Sequence, residues 1–253
     1  MSWRIVQACA IGTSHLATNV ECQDSCLTSI ELSADKEPLL YMFVADGAGS
    51  AAQGGKGAEL AVTIAASIIG KHCQLPEFTL QDELAVECVL AIRREIDKQA
   101  EKESLLARDY ACTFLGLISF AQSTLIMQIG DGGIVVDIGE GLHVPITPMS
   151  GEYANMTYFI TDIDAVDVLM TKYFPAKTLK AAVFTDGIQR LALNMATNTA
   201  HEPFFKPFFS ILAKTTSDQE DQLEAALVGF LNSEAVNERT DDDKTLALAV
   251  LVE

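Results

Sequence analysis

The stretch YMFVADGAGSAAQGGKG, residues 41–57, decides how this chain is read. An apolar run from Leu39 to Ala45 stops on one acid, Asp46, and glycines follow at 47, 49, 54, 55 and 57. Residues 39–45 therefore read as a buried strand that ends on Asp46-Gly47. That arrangement places a carboxylate at the lip of a sheet and lets other groups approach the backbone closely. Asp-Gly is also a favoured turn pair, so one instance does not separate a turn from a site. Just downstream, Leu60, Ala61, Ile64, Ala65, Ile68 and Ile69 recur at helical spacing, which predicts an amphipathic helix over 54–72.

Outward from this stretch, residues 3–11 and 24–32 read as strands joined by a polar loop, GTSHLATNVECQ. A second helix is expected to begin near Thr79, with Thr79 and Asp82 as a capping pair and Leu84, Cys88, Ile92 and Ile96 as its apolar face. Short β-branched runs at 111–119, 124–130 and 133–138, separated by turn residues, read as an antiparallel meander. A loop at 147–157 is followed by a short strand at 158–161 and another strand at 180–185. The later part of 203–213 reads as helix, and Ser217 with Glu220 opens a further one carrying Leu223, Leu227, Phe230 and Leu231. A strand over 245–252 closes the chain. Strands and helices fall in separate blocks, which indicates an α+β fold rather than a parallel βαβ sheet. With no internal repeat or linker, residues 1–253 are expected to form one domain.

The composition narrows the function classes. Of 253 residues 49% are hydrophobic, which argues against disorder. The formal net charge of −18 argues against nucleic-acid or anionic-membrane partners, which need clustered Lys and Arg. The longest apolar runs, 39–45 and 246–252, fall far short of the ~20 residues that span a bilayer. Met1-Ser2-Trp3-Arg4 leads straight into a strand pattern without a signal-like apolar region, so a cytoplasmic protein is expected. The six cysteines offer only one CxxxC spacing, Cys22 and Cys26, and no completed zinc set, so they read as free thiols. The four histidines are scattered. Any metal would be held by oxygen, which points to Mg2+ or Mn2+.

Several aspartates repeat the placement of Asp46. Asp131-Gly132 follows TLIMQIG, Asp186-Gly187 follows KAAVFT, Asp24 precedes the second strand, and Asp241 to Asp243 precede the last. Strand ends on one rim can converge, and converging carboxylates repel one another unless a cation neutralises them. Each acid alone also reads as a turn residue or as part of a solvated charge run.

Their order along the chain resembles the type 2C metal-dependent serine/threonine protein phosphatases, over nearly its whole length. CQD at 22–24 looks like the early N-E/Q-D element, and FVADGAGSAAQGGKGAELA resembles V-x-D-G-x-G leading into the first long helix. ACTFLGLI, with Thr113, resembles the G-T-T/S strand; IMQIGDGG the N-x-G-D-S-R turn; VFTDGI the S-D-G segment; and DDKTLALAVLV the closing D-N-x-T strand. The resemblance implies two packed antiparallel β-sheets flanked by helix pairs, with a metal site at one end of the sandwich. It implies that Asp46 bridges two metal ions with the Gly47 carbonyl on one of them. Asp186 and Asp242 would complete that pair, Asp24 would act through water, and Asp131 would help hold a third ion beside Asp186. A metal-bridging water would then attack phosphoserine or phosphothreonine in a protein substrate.

The chain departs from the pattern at three places. The arginine expected shortly before the N-E-D element is missing: Ser14 or His15 stands there, and no arginine lies between Arg4 and Arg93. Position 48 is alanine where animal members carry histidine, and Asp243 stands where asparagine is usual. His15 is the substrate-binding candidate in the arginine's place. Two rivals follow, a non-catalytic relative that binds a phosphoprotein or regulator and a hydrolase of small phosphate esters. TPMSGEYANMTYFIT, from residue 147 onward, sits where the family has a variable flap near the catalytic end.

Overall fold

The computed structural model describes residues 2–149, 157–216 and 219–252. In chain order its first half contains β1 (Ser2–Ala10), α1 (Thr13–Thr18), β2 (Asp24–Leu32), β3 (Pro38–Asp46), α2 (Gly54–His72), α3 (Asp82–Glu103), β4 (Phe114–Phe120) and β5 (Ser123–Ile129). There follow β6 (Gly133–Asp137), β7 (Met170–Phe174), β8 (Lys180–Phe184), α4 (Gln189–Ala192), β9 (Leu193–Asn194) and β10 (Thr199–Ala200). The chain then forms α5 (Glu202–Leu212), α6 (Glu220–Leu231), α7 (Glu234–Asn237) and β11 (Lys244–Val252).

Two antiparallel sheets, ordered β1-β11-β8-β6 and β2-β3-β4-β5-β7, form the centre, and β9 and β10 pair separately. The period of two along β3 explains the layering. Leu39, Tyr41, Phe43 and Ala45 pack with α2 and α3, whereas Leu40, Met42 and Val44 turn inward. Their inward partners include Leu115 and Leu117 of β4, Val183 of β8, and Ala247 and Ala249 of β11. On the far face Leu246 and Leu248 of β11 pack with Phe205, Phe209, Leu227 and Leu231 of α5 and α6. The result is helix, sheet, sheet, helix, as the resemblance implied. No helix among the described residues is long and apolar enough to cross a membrane.

Four sequence-based expectations need correction. The meander does not persist: β4 and β5 pair, but β6 crosses to the other sheet and pairs with β8. Gly130, at φ +110°, turns the chain across in a region that L side chains rarely adopt, and Gln128 Nε2 donates to the Gly130 and Gly132 carbonyls at 3.1 Å each. The loop between β1 and β2 contains α1, which buries no residue and so has no apolar stripe. The second long helix starts at Asp82 with Gln81 at its N-cap; Thr79 accepts a hydrogen bond from Gln81 Nε2 at 3.2 Å instead of capping the helix. Residues 158–161 form no strand, because Ile160 N–H bonds to the Cys112 carbonyl and Phe159 N–H to the Asp162 side chain. Ser217, expected to open the helix now labelled α6, and residues 150–156 of the expected flap lie outside the described residues.

A Cβ on Gly130 would lie 2.5 Å from Thr113 Cγ2, in addition to the backbone strain. Gly130→Ala is therefore expected to destabilise the protein by about 1–3 kcal/mol, read as a lower midpoint in urea. Gly49→Ala, where a Cβ meets nothing within 4 Å, should leave the midpoint nearly unchanged.

Candidate active site

The site gathers at one end of the sandwich, where β3 and β8 stop and β2 and β11 start. Asp24 and Asp46 face each other as ladder partners at the ends of β2 and β3. Thr113 holds Asp46 from both sides of its peptide: its N–H donates to the Asp46 carbonyl at 2.8 Å, and its hydroxyl accepts the Asp46 N–H at 2.9 Å. Gly47 N–H donates to the Gln23 carbonyl at 3.1 Å. The start of α2 lies directly on this turn. A Cβ on Gly47 would run into the Gly54 backbone, and one on Gly54 would lie 2.9 Å from the Ala48 carbonyl oxygen. Close approach is thus what the glycine cluster provides.

The five predicted acids do converge. Burial raises the Asp46 pKa well above the ordinary carboxylate value, and Asp24, Asp186, Asp242 and Asp131 add repulsion in that order. Burial and then the charges of Asp131 and Asp242 push Asp186 up to about 6. Burial also raises Asp24, against the hydroxyls of Thr185 and Thr245, which both donate to its Oδ2 at 2.8 Å. Asp242 is raised as well, burial being the largest cause. Asp24 Oδ1 and Asp186 Oδ1 are buried without a hydrogen-bond partner among the described residues. Unpartnered buried carboxylate oxygens are costly and invite a cation.

Among the described residues no group of three or more His, Cys, Asp or Glu side chains is placed so that it could hold an ion. The fit to a cation therefore rests on donor chemistry: oxygens only, desolvated and mutually repelling. These are donors for Mg2+ or Mn2+, which keep several waters and need no all-protein cage.

Asp243, not among the predicted site residues, has a specific task. Its buried carboxylate accepts Gly12 N–H and Gln23 N–H at 2.6 Å each, and His15 Nδ1–H donates to it at 2.9 Å. It thereby fixes α1 and the approach to Asp24 against the start of β11. Asparagine offers one acceptor oxygen where three donors converge, so the departure from the expected residue has a local reason. His15 stands beside the site with its side chain 18% exposed. Lys244, fully buried, donates from Nζ to Asn237 Oδ1 at 2.7 Å and ties α7 to β11. The part of Asp243 was not legible because its three partners come from segments more than 200 residues away in sequence. All six cysteines are free, as expected, with Cys9 and Cys26 Sγ atoms 3.4 Å apart between the two sheets.

Comparisons with known proteins bear on family and fold. The family profile described as Protein phosphatase 2C matches residues 11–232, ending before Asp242. A relative from Escherichia coli K12, serine/threonine-protein phosphatase 3, is 57% identical over 253 residues, covering 100% of both chains. A solved bacterial serine phosphatase superposes with a TM-score of 0.60 at 14% identity, covering 100% of this chain and 99% of that one. The serine/threonine phosphatase Stp1 from Staphylococcus aureus gives 0.61 at 13% identity, over 99% and 96% of the two chains. At these identities the two structures speak for the fold.

Two measurements follow. Carboxyls raised in the folded state bind protons that the unfolded chain has lost, so their contribution falls as pH rises through the folded value. Metal-free protein should therefore melt higher at about pH 5 than at about pH 8, and Asp186→Asn should flatten the dependence; an equal melting temperature at both would contradict the raised values. Glu103, held down to about 2 first by its hydrogen bond from Lys56, stays ionised throughout this window. Separately, Asp243→Asn should destabilise by about 1–3 kcal/mol in chemical denaturation, since it leaves buried N–H donors without acceptors.

Proposed function

The chain belongs to the protein phosphatase 2C family, and on that premise we propose that residues 1–253 form one metal-dependent catalytic unit hydrolysing phosphoserine and phosphothreonine in proteins. The observation that carries the reading is the convergence of Asp24, Asp46, Asp131, Asp186 and Asp242, with two buried carboxylate oxygens unpartnered among the described residues. Asp46, Asp186 and Asp242, with the Gly47 carbonyl, would hold two Mn2+ or Mg2+ ions. Asp24 would contribute its second oxygen, and Asp131 would stand beside Asp186 for a third ion. Bound there, the ions would supply a water that is nucleophilic near neutral pH and Lewis acidity toward the phosphoryl oxygens.

The chain's own residues prepare that chemistry. Thr185 and Thr245 commit one oxygen of Asp24 and thereby orient the other. Thr113 fixes the peptide of Asp46, so its carboxylate need not reorganise during the reaction. Asp243 anchors His15 through Nδ1, leaving Nε2 as the ring atom available to substrate. The name of the relative that is 57% identical supports a phosphoprotein rather than a small ester as substrate. Absence of a membrane-crossing helix among the described residues is consistent with cytoplasmic action.

Turnover of p-nitrophenyl phosphate and of a phosphothreonine peptide should require Mn2+ or Mg2+, stop with chelator, and fall on the order of 100-fold or more in Asp46→Asn. No metal-dependent turnover by the folded wild type would sink the reading in favour of a binding protein. Turnover of the small ester alone would favour a small-molecule hydrolase.

A further inference from the structure

A phosphate monoester is a dianion, and the site offered to it is a cluster of carboxylates in a chain of net charge −18. Cations bound to those acids would offset part of the repulsion, yet no arginine lies between Arg4 and Arg93. A cavity of about 210 Å3 opens beside the cluster, lined by Asp186, Arg190, Arg239, Thr240, Asp241 and Asp242 among others. Two arginines, both exposed, thus line the same small cavity as two of the candidate metal-holding acids.

Among the described residues, Arg190 and Arg239 make no side-chain hydrogen bond and no ion pair within 4.0 Å, although three carboxylates line the same cavity. Arg4, Arg93 and Arg94 each donate to backbone carbonyls, and Arg108, which lies away from this cavity, is likewise without a side-chain partner among the described residues. Arg190 and Arg239 belong to segments tied to the site. Arg190 lies on α4, whose first residue, Gln189, donates from Nε2 to the Asp131 carbonyl at 2.7 Å. Arg239 follows α7, which the bond between buried Lys244 and Asn237 fastens to β11. A planar guanidinium presents paired donors matched to phosphate oxygens, and two of them offset a dianion.

We propose that Arg190 and Arg239 form the phosphate grip of this protein, binding the non-bridging oxygens of the substrate phosphoryl group from the cavity beside Asp186 and Asp242. The assignment rests on the phosphatase reading above and adds arginines to the substrate-binding candidate His15. It places the grip on segments different from the one that carries His15.

The test uses full-length protein with saturating Mn2+ and the variants Arg190→Ala, Arg239→Ala, the double alanine variant, and each Arg→Lys. Three quantities are read: KM and kcat for p-nitrophenyl phosphate, the inhibition constant of inorganic phosphate, and the melting-temperature rise caused by inorganic phosphate. Each alanine variant should raise KM and the phosphate inhibition constant by about 10-fold or more, with lysine restoring part of the loss. Mn2+ affinity by calorimetry should stay within about twofold of wild type, because neither arginine is a metal ligand. Unchanged KM and phosphate inhibition would overturn the assignment. So would an effect confined to a phosphopeptide with acidic neighbours, which would mean that the arginines read flanking side chains. The melting shift separates this inference from the activity itself. If wild type turns nothing over but phosphate still stabilises it and not the double variant, the grip stands and the catalytic reading fails.

Discussion

Repulsion among buried carboxylates is the constraint around which this molecule is built. Five acids from four strand ends and one crossover turn share a rim, where burial and the neighbouring charges raise the proton affinity of Asp46 and Asp186. Left to relax, such groups would separate or expose themselves. What prevents this is the rigidity behind them: β3 is buried on both faces, between α2 and α3 on one side and the second sheet on the other. Close-packed interiors do not yield gradually, so the apolar layers hold the charged rim in a geometry it would not adopt alone.

Small polar contacts then determine which carboxylate oxygens stay available. Asp24 gives one oxygen to two threonine hydroxyls and keeps the other free, and Asp46 is held through its peptide rather than its side chain. Asp243 is the opposite case. Both of its oxygens are consumed by backbone donors and by His15, so it is a structural acid beside those proposed to hold metal. Two adjacent aspartates, 242 and 243, thus differ in role because one faces the rim and the other faces three donors.

The sequence revealed the parts of this arrangement that are local. The apolar run ending on Asp46 and the glycines after it mark strand, turn and helix start, since a doubly buried strand reads as a continuous hydrophobic run. The acids at 24, 131, 186 and 242 were legible for the same reason, each sitting where an apolar pattern breaks. Sheet membership was not. GIVVD of β6 fits either sheet, since all its residues are buried, and its partner is chosen by the turn at Gly130 rather than by its own pattern. Helix α1 lacks an apolar stripe, and β7 is a largely exposed edge strand, so neither carries periodicity to detect. Arg190 and Arg239 carry no shared motif, and their meeting at one cavity is a tertiary fact.

The net charge and the two arginines act over different distances. At physiological ionic strength the Debye length is about 8 Å, so most of the −18 charge is screened from an approaching phosphoprotein. The rim carboxylates are screened less, because they are partly desolvated and stand where the proposed site would put the phosphoryl group. A dianion therefore meets a local barrier more than a global one, and positive charge offsets it only if placed within the same few ångströms. Metal ions held by the acids would supply part of that charge but exchange with solvent. Guanidinium groups attached through α4 and α7 cannot leave. A site assembled from both kinds of cation would keep some affinity for phosphate whatever its metal occupancy, and would lose hydrolysis before it lost binding.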